Sequence, residues 1–285
     1  MQQLRNLLAI CLLITVANSM AQEVDAKTFG KGSIRKTKKV YIADLDVAQY
    51  VKTSADQSAG GGGAYAKMTV SFGGVDGTAY QNMLGEVYKE ISQKFKSLGY
   101  EVLTNEEVKA KNSDAMMFSA PGESEKMVSG TVTGNIIRPN NALLCPSKGL
   151  IPGASFNKVA KSVDANTFHF NYAVNTVNFN RGSKFSKKAS VAGEPNLWIQ
   201  GYVGAVSSDA KGGSTIYLKP YGDGDLSWVG PNGISETSKN NKPWMGSAMG
   251  KYTLDVKQDE YLAALKKLLV NASTKAIDAF QADLQ

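Results

Sequence analysis

Apolar residues recur at three- and four-residue steps in two stretches of the chain, and this spacing predicts two long amphipathic helices. The first stretch comprises Tyr80, Leu84, Val87, Ile91, Phe95 and Leu98. The second, near the C-terminus, comprises Tyr261, Leu265, Leu268, Ala272, Ala276 and Phe280. A helix with one apolar face has to bury it against another element, so we expect a sheet that both helices can cover.

The first of these helices also carries signals at its ends. Thr78 and Gln81 have the spacing of a capping box, which marks a helix N-terminus. Gly99 can adopt the left-handed conformation that ends a helix. These signals predict a helix over residues 78–98.

Short strands are predicted on both sides of this helix. Residues 38–47, KKVYIADLDV, and residues 68–72 have the β-branched and aromatic content of strands. After the helix, residues 100–103 are expected to form another strand, and Thr104 with Glu107 predicts the start of a short helix through a second capping box.

Alternating patterns predict the remaining strands. Residues 126–137 alternate as one strand, and a hairpin is expected over residues 167–206. In its first strand, one face carries Phe168, Phe170, Tyr172 and Val174, and the other carries His169, Asn171 and Asn175. Residues 207–250 are rich in Gly, Ser, Asn, Asp and aromatic residues, which is typical of an insertion or an exposed loop system, with brief strand candidates at 215–218 and 226–229.

These elements together predict an α+β fold. We expect a mixed or mainly antiparallel sheet packed against two long helices, with a long hairpin and a loop-rich insertion at about 207–250. Residues 38–285 are expected to form a single α+β domain, preceded by a flexible basic lead-in at 22–37.

The N-terminus has the pattern of a secretory signal peptide. Arg5 precedes an apolar run, and small residues follow it up to Ala21, so residues 1–21 are predicted to be removed. Cys11 lies inside the apolar run rather than at the cleavage point, so no lipid anchor is predicted. Removal leaves Cys145 as the only cysteine, and stability then has to come from packing rather than from an intramolecular disulfide.

The chain is basic, with a formal net charge of +7. The excess is concentrated in two clusters, Lys27, Lys31, Arg35, Lys36, Lys38 and Lys39, and Arg181, Lys184, Lys187 and Lys188. In an exported protein these clusters favour anionic lipid, an acidic glycan or an acidic partner over nucleic acid, and solvated loop charge is the simpler alternative.

The glycine run at residues 60–63 does not have the context of a phosphate-binding loop. Such a loop leads directly into a helix and carries a lysine followed by a hydroxyl residue, whereas here a strand-like segment follows. A flexible linker is therefore predicted.

Motifs for common catalytic chemistry are absent from the sequence. His169 is the only histidine, and its place on the polar face of a strand predicts an exposed or hairpin-lining role. No nucleophile elbow and no zinc motif is present. Asp223 and Asp225 predict a tight turn, and Asp44 and Asp46 are interpreted as polar residues at the end of a strand. We predict no enzymatic activity and no cofactor or metal.

Aromatic residues in the last third of the chain are the candidate contacts for a partner or a glycan. They are Trp198, Tyr202, Tyr217, Tyr221, Trp228 and Trp244, and they stand beside Asn, Asp and Gly. Aromatic faces next to amides suit sugar rings and protein interfaces alike, and packing within the fold is the alternative.

The order of elements resembles the periplasmic domain of the curli secretion channel subunit family and its outer-membrane lipoprotein relatives. The stretches KKVYIADLDV, FKSLGYEVLTNEEV and VSGTVTGNII, the alternating strands and the long terminal helix carry the resemblance. It implies an α+β domain at the inner face of an outer membrane that acts in secretion, envelope assembly or activation of a partner, usually as an oligomer.

Two functions follow as hypotheses. The first is a non-enzymatic exported protein that acts in envelope assembly or secretion through contacts with an envelope or secreted protein, including self-association. The second is a glycan-binding module or surface adhesin that uses the aromatic residues. The periplasm, the periplasmic face of the outer membrane, the cell surface and the medium are all compatible locations.

Overall fold

The computed structural model describes residues 23–59, 64–112, 125–129, 132–140, 154–182, 189–242 and 247–285. Several predictions from the sequence lie outside these residues. They concern the signal peptide, the glycine run, Cys145, Trp244 and Lys184, Lys187 and Lys188 of the second basic cluster.

Eleven strands and five helices are present in the described part of the chain. The strands are β1 Val24–Phe29, β2 Lys39–Ser58, β3 Tyr65–Phe72, β4 Glu101–Val102, β5 Glu125–Ser129, β6 Val132–Ile137, β7 Asn166–Arg181, β8 Val191–Val206, β9 Gly213–Tyr221, β10 Val229–Lys242 and β11 Ser247–Val256. The helices are α1 Lys31–Ile34, α2 Gly77–Ser97, α3 Asn105–Lys111, α4 Ala154–Val163 and α5 Gln258–Leu284.

The strands form one mixed sheet with the order β1-β9-β8-β7-β2-β3-β11-β10. The short strands β4 and β6 also pair with β2, and β5 pairs with β6. The pairs β2–β7, β2–β4 and β3–β11 are parallel, and the remaining pairs are antiparallel. Because β2 is 20 residues long, it can pair with four different strands along its two edges.

The predicted fold class is wrong. The chain is mostly a large mixed sheet of eleven strands with five helices, with 50% of the residues in strands and 31% in helices, rather than a sheet packed only against two long helices. Helices lie on both faces of this sheet, because a second cluster of buried residues includes α3 and α4. The loop-rich insertion is also wrong, since residues 207–250 contain β9, all of β10 and the start of β11.

The segment expected to be a flexible lead-in contains β1 and α1. β1 pairs with β9 over six residues, and its Val24 and Ala26 pack against the main core. Lys31 Nζ forms an ion pair with Asp283 Oδ1 at 2.9 Å, near the end of α5. These contacts explain why a polar, lysine-rich segment is ordered here.

The main core lies between one face of the sheet and helices α2 and α5. The sheet contributes Ile42, Leu45, Val47, Phe168, Phe170, Val203 and Ile216, and the helices contribute Leu84, Val87, Ile91, Phe95, Leu265, Leu268, Ala276 and Phe280. We call this side of the sheet the first face. The periodic apolar residues predicted for the two helices are therefore the residues that cover it.

Polar contacts inside this core connect the helices to the sheet. Gln49 Oε1 on β2 accepts hydrogen bonds from the hydroxyl groups of Tyr80 on α2, at 3.2 Å, and Tyr261 on α5. The hydroxyl groups of Tyr172 and Ser273 are 2.6 Å apart and join β7 to α5. Because these buried groups are paired, they fix the helices without the penalty of an unsatisfied polar atom.

The opposite side of the sheet, the second face, is covered only at one end. There, a smaller cluster joins Tyr41 and Ala43 of β2 to α3 and α4 through Leu103, Val108, Phe156, Val159, Val163 and Ala165. Tyr41 also donates a hydrogen bond to Asn105 Oδ1 at 2.8 Å. Beyond this cluster the second face is partly open.

The helix ends agree with the sequence in part. The box at Thr104 and Glu107 is confirmed, because each side chain accepts a hydrogen bond from the other residue's backbone N–H. Gly99 has a φ of 80°, as predicted for the end of α2. The N-cap of α2 is Asp76 rather than Thr78, since Asp76 Oδ1 accepts from Ala79 N at 2.8 Å.

No helix among the described residues has the length and apolar content needed to cross a membrane.

Trp228 is fully buried in the main core, where its Nε1 donates to Asp225 O at 2.7 Å and its ring packs edge-on against Tyr261. We expect Trp228→Ala to lower the free energy of unfolding by about 3–5 kcal/mol, because it leaves a large cavity. Denaturant titration measures the change. Phe29→Ala is the matched control, because Phe29 is 67% exposed and its loss should change stability little. If Trp228→Ala and Phe29→Ala lowered the free energy of unfolding equally, the placement of Trp228 in the core would be wrong.

Candidate functional site

The structure separates the six aromatic candidates. Trp228 is a core residue, and Tyr221 is half-buried with Lys275 of α5 5.4 Å above its ring. Trp244 lies outside the described residues. Trp198, Tyr202 and Tyr217 remain, and all three belong to the second face, because their neighbours along each strand pack into the main core.

Tyr202 on β8 and Tyr217 on β9 stand directly opposite each other across the strand pair. Their neighbours Val203 and Ile216 are buried in the main core, so the tyrosines project from the second face. Their exposed fractions are 39% and 51%, which is high for aromatic side chains in central strands. Two large rings are therefore presented side by side to solvent.

A concavity of about 360 Å³ lies next to Tyr202 on the second face. Asp46 and Ala48 of β2, Ile136 of β6, Asn171 of β7, and Gln200 and Tyr202 of β8 contribute to its lining. Gly201, which has no side chain, contributes to the depth of this concavity. At Gly201 a Cβ atom would lie 2.0 Å from the carbonyl oxygen of Asn171, so only glycine fits this close approach of the two strands.

Two amide side chains in this lining are free to bind a ligand. Asn171 and Gln200 have no hydrogen-bond partner among the residues that the structure describes. Each amide offers two N–H donors and a carbonyl acceptor. The concavity therefore presents donors and acceptors beside an aromatic surface.

Asp46, at the floor of the concavity, belongs to an ion pair. Arg138, directly after β6, donates from Nε and Nη2 to the two carboxylate oxygens of Asp46 at 2.7 and 3.0 Å. The guanidinium is buried and the carboxylate is only slightly exposed. A bidentate contact of this kind fixes both groups in one plane and strengthens the pair.

Asp44 lies behind Asp46 and is 3% exposed. Asp44 and Asp46 flank Leu45 and therefore share the second face, while an irregularity in the pairing of β2 with β7, between Ile42 and Asp44, lets Ile42 face the main core. Burial raises the pKa of Asp44 well above its usual range, and the nearby negative charge of Asp46 and a hydrogen bond between the two carboxyl groups add to this effect. Asp44 Oδ1 has no hydrogen-bond partner among the described residues.

His169 closes the covered end of this cluster. Its ring stacks on Phe156 of α4 with centroids 4.6 Å apart, and the ring of Tyr202 meets it edge-on. A Cβ atom at Gly204 would lie 2.1 Å from the imidazole, so glycine at this position makes room for the ring. Burial lowers the pKa of His169 to about 4, while the charge of Asp46 opposes the shift. The prediction of the polar strand face is confirmed, but the side chain is mostly covered.

The two carboxyl groups of this cluster do not have the arrangement of a glycosidase pair. Glycoside hydrolysis requires two carboxyl groups about 5 Å or more apart, one on each side of the bond. Asp44 and Asp46 are instead hydrogen-bonded to each other. Within the described ranges, no group of three or more His, Cys, Asp or Glu residues is placed to hold a metal ion.

The other candidates from the sequence have structural roles. Asp225 N donates to Asp223 Oδ1 at 3.1 Å, as expected for a tight turn, and Asp223 pairs with Lys267 of α5. In the first basic cluster, Lys27, Lys31, Lys36 and Lys39 each form an ion pair with a carboxylate. Much of that positive charge is therefore balanced locally.

Sequence reasoning missed the parts of the site that depend on register. Asn171, Tyr202 and Tyr217 come from three strands, and only the pairings Asn171↔Tyr202 and Tyr202↔Tyr217 put them in one row. The alternation of β7 already placed Asn171 on the polar face. No pattern in the sequence indicated that Arg138 binds Asp46.

Folding lowers the pKa of His169 from 6.5 to about 4. Above pH 6.5 the imidazole is neutral in the folded and the unfolded chain, so the free energy of unfolding is at its full value with respect to this group. That free energy decreases as the pH falls towards 4, since the unfolded chain then binds a proton that the folded chain excludes. We expect this loss to reach about 3 kcal/mol. In His169→Phe, the free energy of unfolding should lose this dependence, as measured by denaturant titration from pH 4 to 7.5.

Asp44→Asn provides a matched control, because Asp44 is expected to change the free energy of unfolding with pH in the opposite direction to His169. Because the pKa of Asp44 is raised on folding, its ionisation in the unfolded chain lowers stability as the pH rises above 3.8. Asp44→Asn should remove that decline and stabilise the protein at neutral pH. Identical pH profiles for both variants and the unmodified protein would show that neither group is buried as described.

Comparison with known proteins adds no relative: no protein-family model, curated protein or solved structure matches the chain. The resemblance to the curli secretion channel subunit family therefore stays a prediction.

Proposed function

We propose that this protein is an exported, non-enzymatic glycan-binding protein whose ligand lies on the second face of the sheet. The observation that carries the proposal is the row formed by Tyr217, Tyr202 and Asn171 beside the concavity. Of the two functions inferred from the sequence, this one has a defined site, built from two of the aromatic residues named for it.

The chemistry of a sugar ring matches this row. A pyranose has apolar C–H faces, which pack against exposed aromatic rings, and hydroxyl groups at its edge, which require donors and acceptors. Tyr202 and Tyr217 supply the rings, and the unpaired amides of Asn171 and Gln200 supply the hydrogen bonds. The volume of the concavity falls within the range of small-ligand sites.

The site is carried by strands rather than by loops, which supports a binding role. The pairing of β2, β7, β8 and β9 fixes the spacing of the contacting side chains before a ligand arrives. A preorganised site loses less binding free energy to the ordering of its side chains. Specific recognition of a weakly binding ligand such as a sugar benefits from this arrangement.

We expect Tyr217→Ala to weaken glycan binding by about tenfold or more, because a well-packed aromatic contact contributes 1–2 kcal/mol or more. Retention on immobilised envelope polysaccharides, followed by calorimetry with the oligosaccharide retained, gives the affinity. Tyr217→Phe should bind nearly as well as the unmodified protein, since it keeps the ring.

Phe29→Ala is the matched control for this experiment. Phe29 is also an exposed aromatic residue, but it stands opposite Gly213 and is not part of the row formed by Tyr217, Tyr202 and Asn171. Its removal should leave the affinity unchanged. An equal loss in Tyr217→Ala and Phe29→Ala, or no binding of any polysaccharide by the unmodified protein, would count against the proposal.

Protein contact in envelope assembly or secretion is the second candidate. β1 and β10 end the main strand order, and exposed strand edges can pair with another chain. Phe29 on β1 and Val128 on β5 are exposed apolar residues on such outer strands. These features suit self-association or capture of an envelope protein.

The native mass and location of the endogenous protein separate the two candidates. For both, we expect a mature chain that has lost residues 1–21, because the N-terminal segment has the pattern of a signal peptide. A glycan-binding monomer should elute near 30 kDa or below, given a full-chain mass of 30.5 kDa. A large assembly in the outer-membrane fraction favours the second candidate. An uncleaved cytosolic chain contradicts the export that both assume.

A further inference from the structure

Asp46, the carboxyl group in the lining of the concavity, belongs to a buried cluster of ionisable groups behind that lining. Asp46 is bound at both oxygens by Arg138, and Asp44 shares a hydrogen bond with Asp46. His169 is enclosed by Phe156 and Tyr202. The carboxylate that the concavity presents to a ligand, Asp46, is therefore already paired with a guanidinium.

The charged residues next to Tyr217 are also paired with residues of opposite charge. Asp25 stands opposite Tyr217 on β1, and its carboxylate forms an ion pair with Lys27. Lys219, two residues after Tyr217, forms an ion pair with Glu23. Both ion pairs are exposed and contribute little to stability, but they leave no excess charge of one sign beside the aromatic row.

A charged ligand would gain little in this site. An acidic sugar would approach the Asp46 carboxylate, which repels it and which already occupies Nε and Nη2 of Arg138. An amino sugar would find Asp46 already neutralised. In both cases the ligand's charge would lose its hydration without gaining an unpaired partner. A hydroxyl group does not carry this penalty.

We propose that the ligand is an uncharged, polyhydroxylated sugar ring, and that Arg138 sets this specificity by holding Asp46 in a closed ion pair. This inference rests on the proposed function and names the ligand class of the same site. The amides of Asn171 and Gln200 make the polar contacts, and the rings of Tyr202 and Tyr217 make the apolar ones. Arg138 is a positioning residue, because it acts through Asp46.

The test compares three classes of labelled oligosaccharide on the full chain. The neutral class comprises glucan, galactan and mannan oligomers, the acidic class alginate oligomers, and the cationic class chitosan oligomers. We expect the unmodified protein to bind a neutral oligomer at least tenfold more tightly than either charged class at physiological salt. Tyr217→Ala should abolish that preference.

Arg138→Gln tests the role of the ion pair directly. It leaves the Asp46 carboxylate unpaired at the floor, so affinity for the chitosan oligomers should rise about tenfold. The double variant Asp46→Asn/Arg138→Gln replaces both charges by amides and should return to the preference for neutral oligomers. If the single variant fails to fold, the double variant and the three-class comparison on the unmodified protein still decide the inference.

The outcomes separate this inference from the proposed function. Tyr217-dependent binding of alginate or chitosan by the unmodified protein would overturn the neutral ligand class while leaving glycan binding intact. Unchanged chitosan affinity in a folded Arg138→Gln variant would overturn the role of Arg138. Failure to bind any of the three classes would overturn the proposed function, and the inference with it.

Discussion

The pairing of β2 with four other strands is the constraint on which the rest of this structure depends. A strand of 20 residues exposes backbone donors and acceptors along two edges, and each buried group has to be paired. β7 pairs with its first half and β3 with its second, while β4 and β6 pair with it elsewhere. The first face then receives helices α2 and α5, and the second face receives the candidate site.

The two faces of β2 carry different kinds of side chain. Ile42, Leu45 and Val47 make the first face apolar, whereas Asp44 and Asp46 place carboxyl groups on the second. Removing carboxyl groups from water is costly. The bidentate Arg138 contact offsets that cost at Asp46, and burial raises the pKa of Asp44, which favours its uncharged form. Apolar residues in these places would have packed with less electrostatic cost, so the polar cluster is better explained by function than by stability.

The sequence predicted local features better than tertiary ones. The Thr104–Glu107 box and the helix ending at Gly99 depend on contacts within a few residues, and both are present. Residues 207–250 were assigned to loops because their composition is that of turns, but β10 lies at the end of the strand order, where polar side chains can face water. Composition alone does not distinguish such an edge strand from a loop.

The candidate site was only partly predictable for a related reason. Alternation assigned Asn171 to a polar face, but the identity of its neighbours depends on register, and a shift of one residue would have turned Tyr202 into the core. Trp228 shows the converse, since an aromatic residue among glycines and aspartates is buried by packing against Tyr261 on a distant helix. A row of aromatic and amide side chains across paired strands is a stronger sign of a ligand than the same residues counted along the chain, because only the row can contact one ring at once.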